Sequence, residues 1–165
     1  MKALFAGLIL ATALVVAPTA GADPPSVQVN DFSSADTSYS PCGAFEVAWT
    51  NNVHMVMTTF TDSTGAPVRY QLHVRTEGTM TGPTGNVATI TSTVTQTTVL
   101  AARIMSVDGT ITNVWAPGVG MLLHDVGRTT QDMSTWPATI LSMSGMHPTL
   151  EPGAWDPVCA YLAGP

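Results

Sequence analysis

The stretch from Val68 to Arg75 alternates strictly between apolar and polar side chains. Its apolar members are Val68, Tyr70, Leu72 and Val74, and the polar side chains of Arg69, Gln71, His73 and Arg75 stand between and after them. Because successive side chains of a β-strand point to opposite faces, the pattern predicts a strand with one buried face and one wet face. Segment 87–98 is dense in Thr and Val, whose branching at Cβ also favours strands.

Further β-prone segments recur along the chain and are separated by short turns that contain Gly or Pro. They are residues 45–50, 53–61, 98–107, 110–116, 119–126, 128–133 and 138–144, with a hairpin turn expected at Asp108-Gly109. Short strands at this spacing predict an all-β fold, either an antiparallel β-barrel of lipocalin-like size with about eight strands or a β-sandwich. Asp156 followed by Pro157 predicts a short C-terminal helix.

The first 22 residues have the pattern of an export signal. Met1-Lys2 precedes an apolar run over residues 3–17, and Ala20-Gly21-Ala22 supplies the small side chains that signal peptidase requires. The run is shorter than the roughly 20 residues that span a bilayer. We therefore expect residues 1–22 to be a signal peptide whose cleavage leaves no transmembrane segment. The product is expected outside the cell or in the cell envelope, with residues 23–41 as an extended or disordered lead-in and residues 42–165 as a single β domain.

The charge of the expected mature chain excludes one class of partner. Four arginines and no lysine remain after residue 22, against eleven Asp and Glu residues, which gives a formal charge of −7. A nucleic-acid-binding protein needs a basic surface to neutralise phosphates, so no nucleic-acid partner is expected. The hydrophobic fraction of 45% argues against disorder, because disordered chains are poor in apolar residues.

Two cysteines, Cys42 and Cys159, lie near the two ends of the expected domain. Two are too few for a zinc site with four cysteine ligands. Exported proteins meet oxidising conditions in which disulfides persist, so we predict a bond between these two residues. It closes a loop of 118 residues, for which loop entropy gives about 4–5 kcal/mol of stabilisation.

Four segments together resemble a family of small, uncharacterised, secreted actinobacterial β-barrel proteins of the mycobacterial type. They are the Gly65–Arg75 stretch (GAPVRYQLHVR), the Pro117–Arg128 stretch (PGVGMLLHDVGR), the Gly145–Pro148 stretch (GMHP), and the terminal Asp156 with the Cys159-Ala160 pair. Met146 and Pro148 depart from the Pro and Gln expected in the third segment. The resemblance implies a secreted β domain, and it supplies no catalytic residue.

No catalytic motif stands out in the sequence. Ser142 and Ser144 lack the first glycine and the following helix of a serine-hydrolase elbow. No phosphate-binding loop or pair of carboxylates on one strand is present. Whether the chain is an enzyme stays open, no cofactor is expected, and the polar candidates for a site are His73, His124, Asp125 and Arg128. An ion pair between Asp125 and Arg128 is one structural alternative to a functional role.

Methionines next to histidines raise the question of copper. Thioether and imidazole groups suit Cu(I), and the candidate ligands are His54, Met55, Met57, Met143, Met146 and His147. Methionine also fills irregular cores, and Met55 and Met57 share one strand face as core residues do. Packing is the favoured interpretation, so no metal site is predicted.

A small β-barrel either fills its interior with side chains or holds one small ligand. The sequence has many aliphatic residues and few large aromatic ones, so we expect a secreted protein that binds a small apolar ligand. The expected lining is Val68, Tyr70, Leu72, Met105, Trp115, Met121 and Leu123. The alternative is a structural or interaction protein that binds a cell-envelope or host partner through its outer surface, with Trp136 or Trp155 in an exposed apolar patch.

Overall fold

The structure is a computed structural model that describes residues 23–37 and 40–165. The expected signal peptide, residues 1–22, lies outside the described residues. The described residues form seven strands: β1 (Ser26–Asp36), β2 (Ala48–Thr61), β3 (Pro67–Thr81), β4 (Val87–Val99), β5 (Ile104–Ala116), β6 (Gly120–Asp132) and β7 (Thr139–Met146). A single 3-10 turn, η1 (Pro148–Leu150), and a helix, α1 (Asp156–Ala163), follow. No helix among these residues is long and apolar enough to cross a membrane.

All seven strands form one antiparallel sheet in sequence order, with β1 and β7 at its two edges. The expected all-β antiparallel fold with a short C-terminal helix is confirmed. The sheet is open and has seven strands, where the sequence suggested about eight. The difference arises because three pairs of segments that the sequence divides are continuous in the structure, as β2, β5 and β6, while β1 is an additional strand.

The hairpin turn predicted at Asp108-Gly109 is wrong, and it is the reason that the sequence analysis divides β5 into two strands. This dipeptide favours a hairpin turn, but both residues lie within the strand, where Thr95 pairs with Asp108 and Val94 with Gly109. The turn that joins β4 to β5 lies instead at residues 100–103, and Arg103 there has a φ of 53°. Pairing with two neighbouring strands therefore overrides a local turn preference.

The sheet also begins earlier than the cysteine pair. Ser26–Asp36, within the segment expected to be an extended or disordered lead-in, forms β1 and pairs with β2 in continuous register from Ser26 to Asp36. All eleven of its residues are exposed, because nothing covers either side of this edge strand among the described residues.

The core lies at one end of the sheet, beneath α1. Four strands contribute buried side chains, Met80, Ala88, Val114 and Leu123, which share one face and pack against Val158 and Leu162 of the helix. We call this side of the sheet the helix face, and the other side the opposite face. Cys42 and Cys159 lie at disulfide distance, with their sulfur atoms 2.09 Å apart, as predicted.

Hydrogen bonds from the β3–β4 turn hold α1 in place. The Asn86 side-chain amide donates to the Tyr161 carbonyl at 2.8 Å, and the Thr84 hydroxyl donates to the Leu162 carbonyl at 3.1 Å. Away from this end no apolar side chain of the helix face is fully buried among the described residues, and several are half-buried. These include Val53, Met55, Leu72, Val74, Val94 and Val107.

Candidate functional site

A pocket of about 220 Å³ lies on the helix face where β5, β6 and β7 meet the η1 turn. Its apolar lining comes from Val107 and Ile111 of β5, Ile140 of β7 and Leu150 of η1. Its polar lining consists of Asp125, Thr129, Gln131, His147 and Thr149. Residues 125, 127, 129 and 131 alternate along β6 and therefore share the helix face with buried Leu123.

Asp125 fastens η1 to the sheet. Its side chain is fully buried, and one carboxylate oxygen accepts from the His147 Nδ1–H at 3.0 Å. The other oxygen accepts from the Thr149 amide at 3.3 Å and from the Thr149 hydroxyl. A buried carboxylate is tolerated when it is paired and hydrogen-bonded, and Asp125 meets both conditions.

His147 uses both nitrogens of its ring. Nδ1–H donates to Asp125, and Nε2–H donates to the Ser144 carbonyl at 3.0 Å. A carbonyl oxygen only accepts, so Nε2 carries the hydrogen of its contact, and the ring is held from both sides. Because Nε2 is occupied by a main-chain carbonyl, this pair has no free base for activating a serine nucleophile.

Gly127 makes room for the His147 ring. Gly127 and Gly145 pair across β6 and β7, with φ values of 150° and 104°. A Cβ at Gly127 would lie 2.9 Å from His147 Nε2 and would collide with the Ser144 carbonyl oxygen. A side chain at this position would therefore displace the ring and with it η1.

The residues expected to line an apolar site do not line this pocket. Tyr70, Leu72 and Met105 lie on other parts of the helix face, and Leu123 belongs to the core. Trp115 and Met121 pair with each other on the opposite face, with exposed fractions of 46% and 56%. Val68 is exposed near the start of β3.

Of the four polar candidates, only Asp125 belongs to the pocket. The expected Asp125–Arg128 ion pair is wrong, because residues three apart on a strand point to opposite faces. Arg128 instead contacts Asp108 at 3.4 Å. His73 contacts the Thr95 hydroxyl at 3.1 Å, and His124 contacts the Asn113 side chain, both on the opposite face.

The copper candidates are divided between strands and faces. His54 contacts Asp31 on the opposite face of β2, whereas Met55 and Met57 lie on the helix face of that strand. Met143 and Met146 lie on different faces of β7, and His147 is held by Asp125. Among residues 23–37 and 40–165, no group of three or more His, Cys, Asp or Glu residues is placed to hold a metal ion.

A larger depression of about 600 Å³ lies at β1–β3. Most of its lining is polar and already paired: Asp31 with His54 at 2.6 Å, Ser33 with Asn52 at 2.7 Å, and Arg75 with Glu77 at 3.0 Å. The two charged pairs are about half exposed or more. Because water screens these charges and they satisfy one another, this depression offers a ligand little to bind.

Sequence reasoning did not assign the pocket because it depends on residues far apart in the chain. Asp125 and His147 are 22 positions apart and meet only when β6 and β7 pair. One sequence signal for the pocket is the alternation of Leu123, Asp125, Gly127, Thr129 and Gln131, since it places polar groups on the face that carries a core residue.

No family of proteins, no curated protein and no solved structure matches the chain.

Proposed function

We propose that the protein binds a small apolar ligand in the pocket between the helix face and η1. The observation that carries the proposal is the four aliphatic side chains that face this pocket, Val107, Ile111, Ile140 and Leu150. A rigid, mostly apolar concavity with a few polar groups is the usual form of a small-molecule site. The hydrogen bonds of Asp125 to residues 147 and 149 keep the covering turn in position.

The volume limits the size of the ligand. Drug-sized sites measure roughly 300–1,000 Å³, and the pocket, at about 220 Å³, is smaller. An apolar cavity of about 150 Å³ accommodates benzene. A single substituted ring or a short branched chain therefore matches the available space, and a long lipid chain does not.

Native mass spectrometry of the disulfide-bonded protein with added toluene tests this proposal. We expect a one-to-one complex that disappears when the protein is denatured. Val107→Phe places a ring in the pocket and should abolish the complex. Val126→Phe is the matched control, because Val126 lies on the opposite face of β6, and it should bind toluene normally. Equal binding by both variants, or no binding by the unmodified protein, would refute the proposal.

We also propose that the protein is exported, with residues 1–22 removed. The cysteine pair at disulfide distance supports this, since such bonds persist in oxidising compartments. The resemblance to small secreted actinobacterial proteins agrees with it. N-terminal sequencing of the protein from culture medium or envelope fractions should begin at Asp23. A sequence that begins at Met1 would contradict export by a cleaved signal.

A second candidate function is binding of an envelope or host protein through an apolar surface. Trp136, between β6 and β7, is 91% exposed, and Leu141 and Met143 on the adjacent edge strand are more than half exposed. Trp155 does not contribute, because it packs edge-on against Trp49 with ring centroids 6.5 Å apart. Cross-linking to intact envelope should give a defined product that Trp136→Ser removes. An unchanged cross-linked product with the Trp136→Ser variant would exclude this surface as the partner-binding site.

A further inference from the structure

Two polar side chains in the pocket keep unused hydrogen-bonding capacity. Thr129 and Gln131 lie next to each other on the helix face of β6, and the Gln131 amide reaches the Thr129 hydroxyl only at 3.4 Å. The hydrogen of the Thr129 hydroxyl and the carbonyl oxygen of Gln131 have no partner among the described residues. Thr129 is only 5% exposed, so the pocket is where a further partner for its hydroxyl can lie.

The other polar groups of the pocket are already hydrogen-bonded to one another or to the main chain. Asp125 accepts three hydrogen bonds, His147 donates two, and the Thr149 hydroxyl donates to Asp125. No arginine or lysine among the described residues lines the pocket, and its one carboxylate, Asp125, is paired with His147. A charged ligand would therefore have to leave water without a counter-charge, which is costly.

We propose that the pocket selects small neutral ring compounds that carry one hydrogen-bonding group, such as phenols, over hydrocarbons and carboxylates. This inference rests on the proposed apolar-ligand function and adds the chemical class of the ligand. The ring lies against Val107 and Ile111, and its hydroxyl group exchanges hydrogen bonds with Thr129 and Gln131. The hydroxyl group of the ligand is thereby oriented toward β6.

The test compares three probes of similar shape, toluene, p-cresol and 4-methylbenzoate, by calorimetric titration of the disulfide-bonded protein. A net hydrogen bond contributes about 0.5–1.5 kcal/mol, so p-cresol should bind about twofold to tenfold more tightly than toluene. Binding of 4-methylbenzoate should be the weakest of the three, because its carboxylate has no partner of opposite charge.

Two adjacent variants identify the group that recognises the hydroxyl. Thr129→Val keeps the shape and removes the hydroxyl, so it should lower p-cresol affinity toward that of toluene and leave toluene affinity unchanged. Thr130→Val makes the same change on the opposite face of the same strand, and it should change neither affinity.

Each outcome separates this inference from the proposed function. Equal affinity for toluene and p-cresol would overturn the selectivity and leave apolar binding intact. Binding of 4-methylbenzoate as tight as that of p-cresol would overturn the preference for neutral ligands. An unchanged p-cresol affinity in Thr129→Val would overturn the role of Thr129, and failure of all three probes to bind would overturn both proposals.

Discussion

The protein contains two His–Asp pairs that differ in burial, and this difference makes a quantitative prediction. Asp125 and His147 are 3.0 Å apart with side chains 0% and 6% exposed, whereas Asp31 and His54 are 2.6 Å apart with side chains 70% and 47% exposed. Removing one partner of a buried pair costs about 3–5 kcal/mol, because the other charge is left buried alone. An exposed pair contributes about 0–1 kcal/mol.

Urea unfolding followed by tryptophan fluorescence measures both costs. With an m value of about 2 kcal/mol/M, Asp125→Ala should lower the midpoint by about 1.5–2.5 M, and Asp31→Ala by less than about 0.5 M. Asp125→Asn keeps the shape of the side chain and serves if the alanine variant does not fold. Burial and not distance sets the expected difference, because the exposed pair has the shorter contact. Equal midpoint shifts for the two pairs would therefore refute the reasoning.

Three further predictions concern the frame of the fold. Gly127→Ala should destabilise the protein by about 1–3 kcal/mol, because the backbone there has a φ of 150°; thermal unfolding checks this, and an unchanged midpoint would contradict it. Replacing Cys42 and Cys159 together with serine should cost about 4–5 kcal/mol through the loop of 118 residues, measured by urea unfolding, and a cost near zero would contradict the entropic argument. Hydrogen bonds from the Thr64 hydroxyl, and secondly from main-chain amides, lower the pKa of Asp62 below 3.8. The stability that this carboxylate contributes is therefore present above its unfolded pKa and is lost as the pH falls through its folded pKa. Carboxyl NMR titration should place its midpoint below 3.8, and a midpoint at or above that value would contradict the assignment.

The class of fold follows from patterns that are local in sequence. Alternation over Val68–Arg75 correctly predicts part of β3, and Asp156 with Pro157 correctly predicts α1. Both patterns depend on neighbours a few positions apart. The cysteine pairing was also predictable, because only two cysteines are available and their positions at the ends of the domain permit one bond.

The candidate site was much less predictable because its chemistry depends on strand register. The sequence offers Asp125 as one of four polar candidates, but it cannot show that β7 brings His147 to within hydrogen-bonding distance of it. The alternation of side chains along a strand is enough to exclude an ion pair between Asp125 and Arg128, because residues three apart point to opposite faces. The exposed position of Trp115 follows from its pairing with Met121 on the opposite face, which no local pattern determines.

Methyl NMR of the disulfide-bonded protein during a toluene titration tests the central claim most directly, because it locates the ligand. We expect saturable shifts of the methyl groups of Val107, Ile111 and Ile140, which line the pocket, with little change at Val27 and Val29 on the exposed edge strand. Shifts absent from the three pocket residues, or largest at the edge strand, would contradict the central claim.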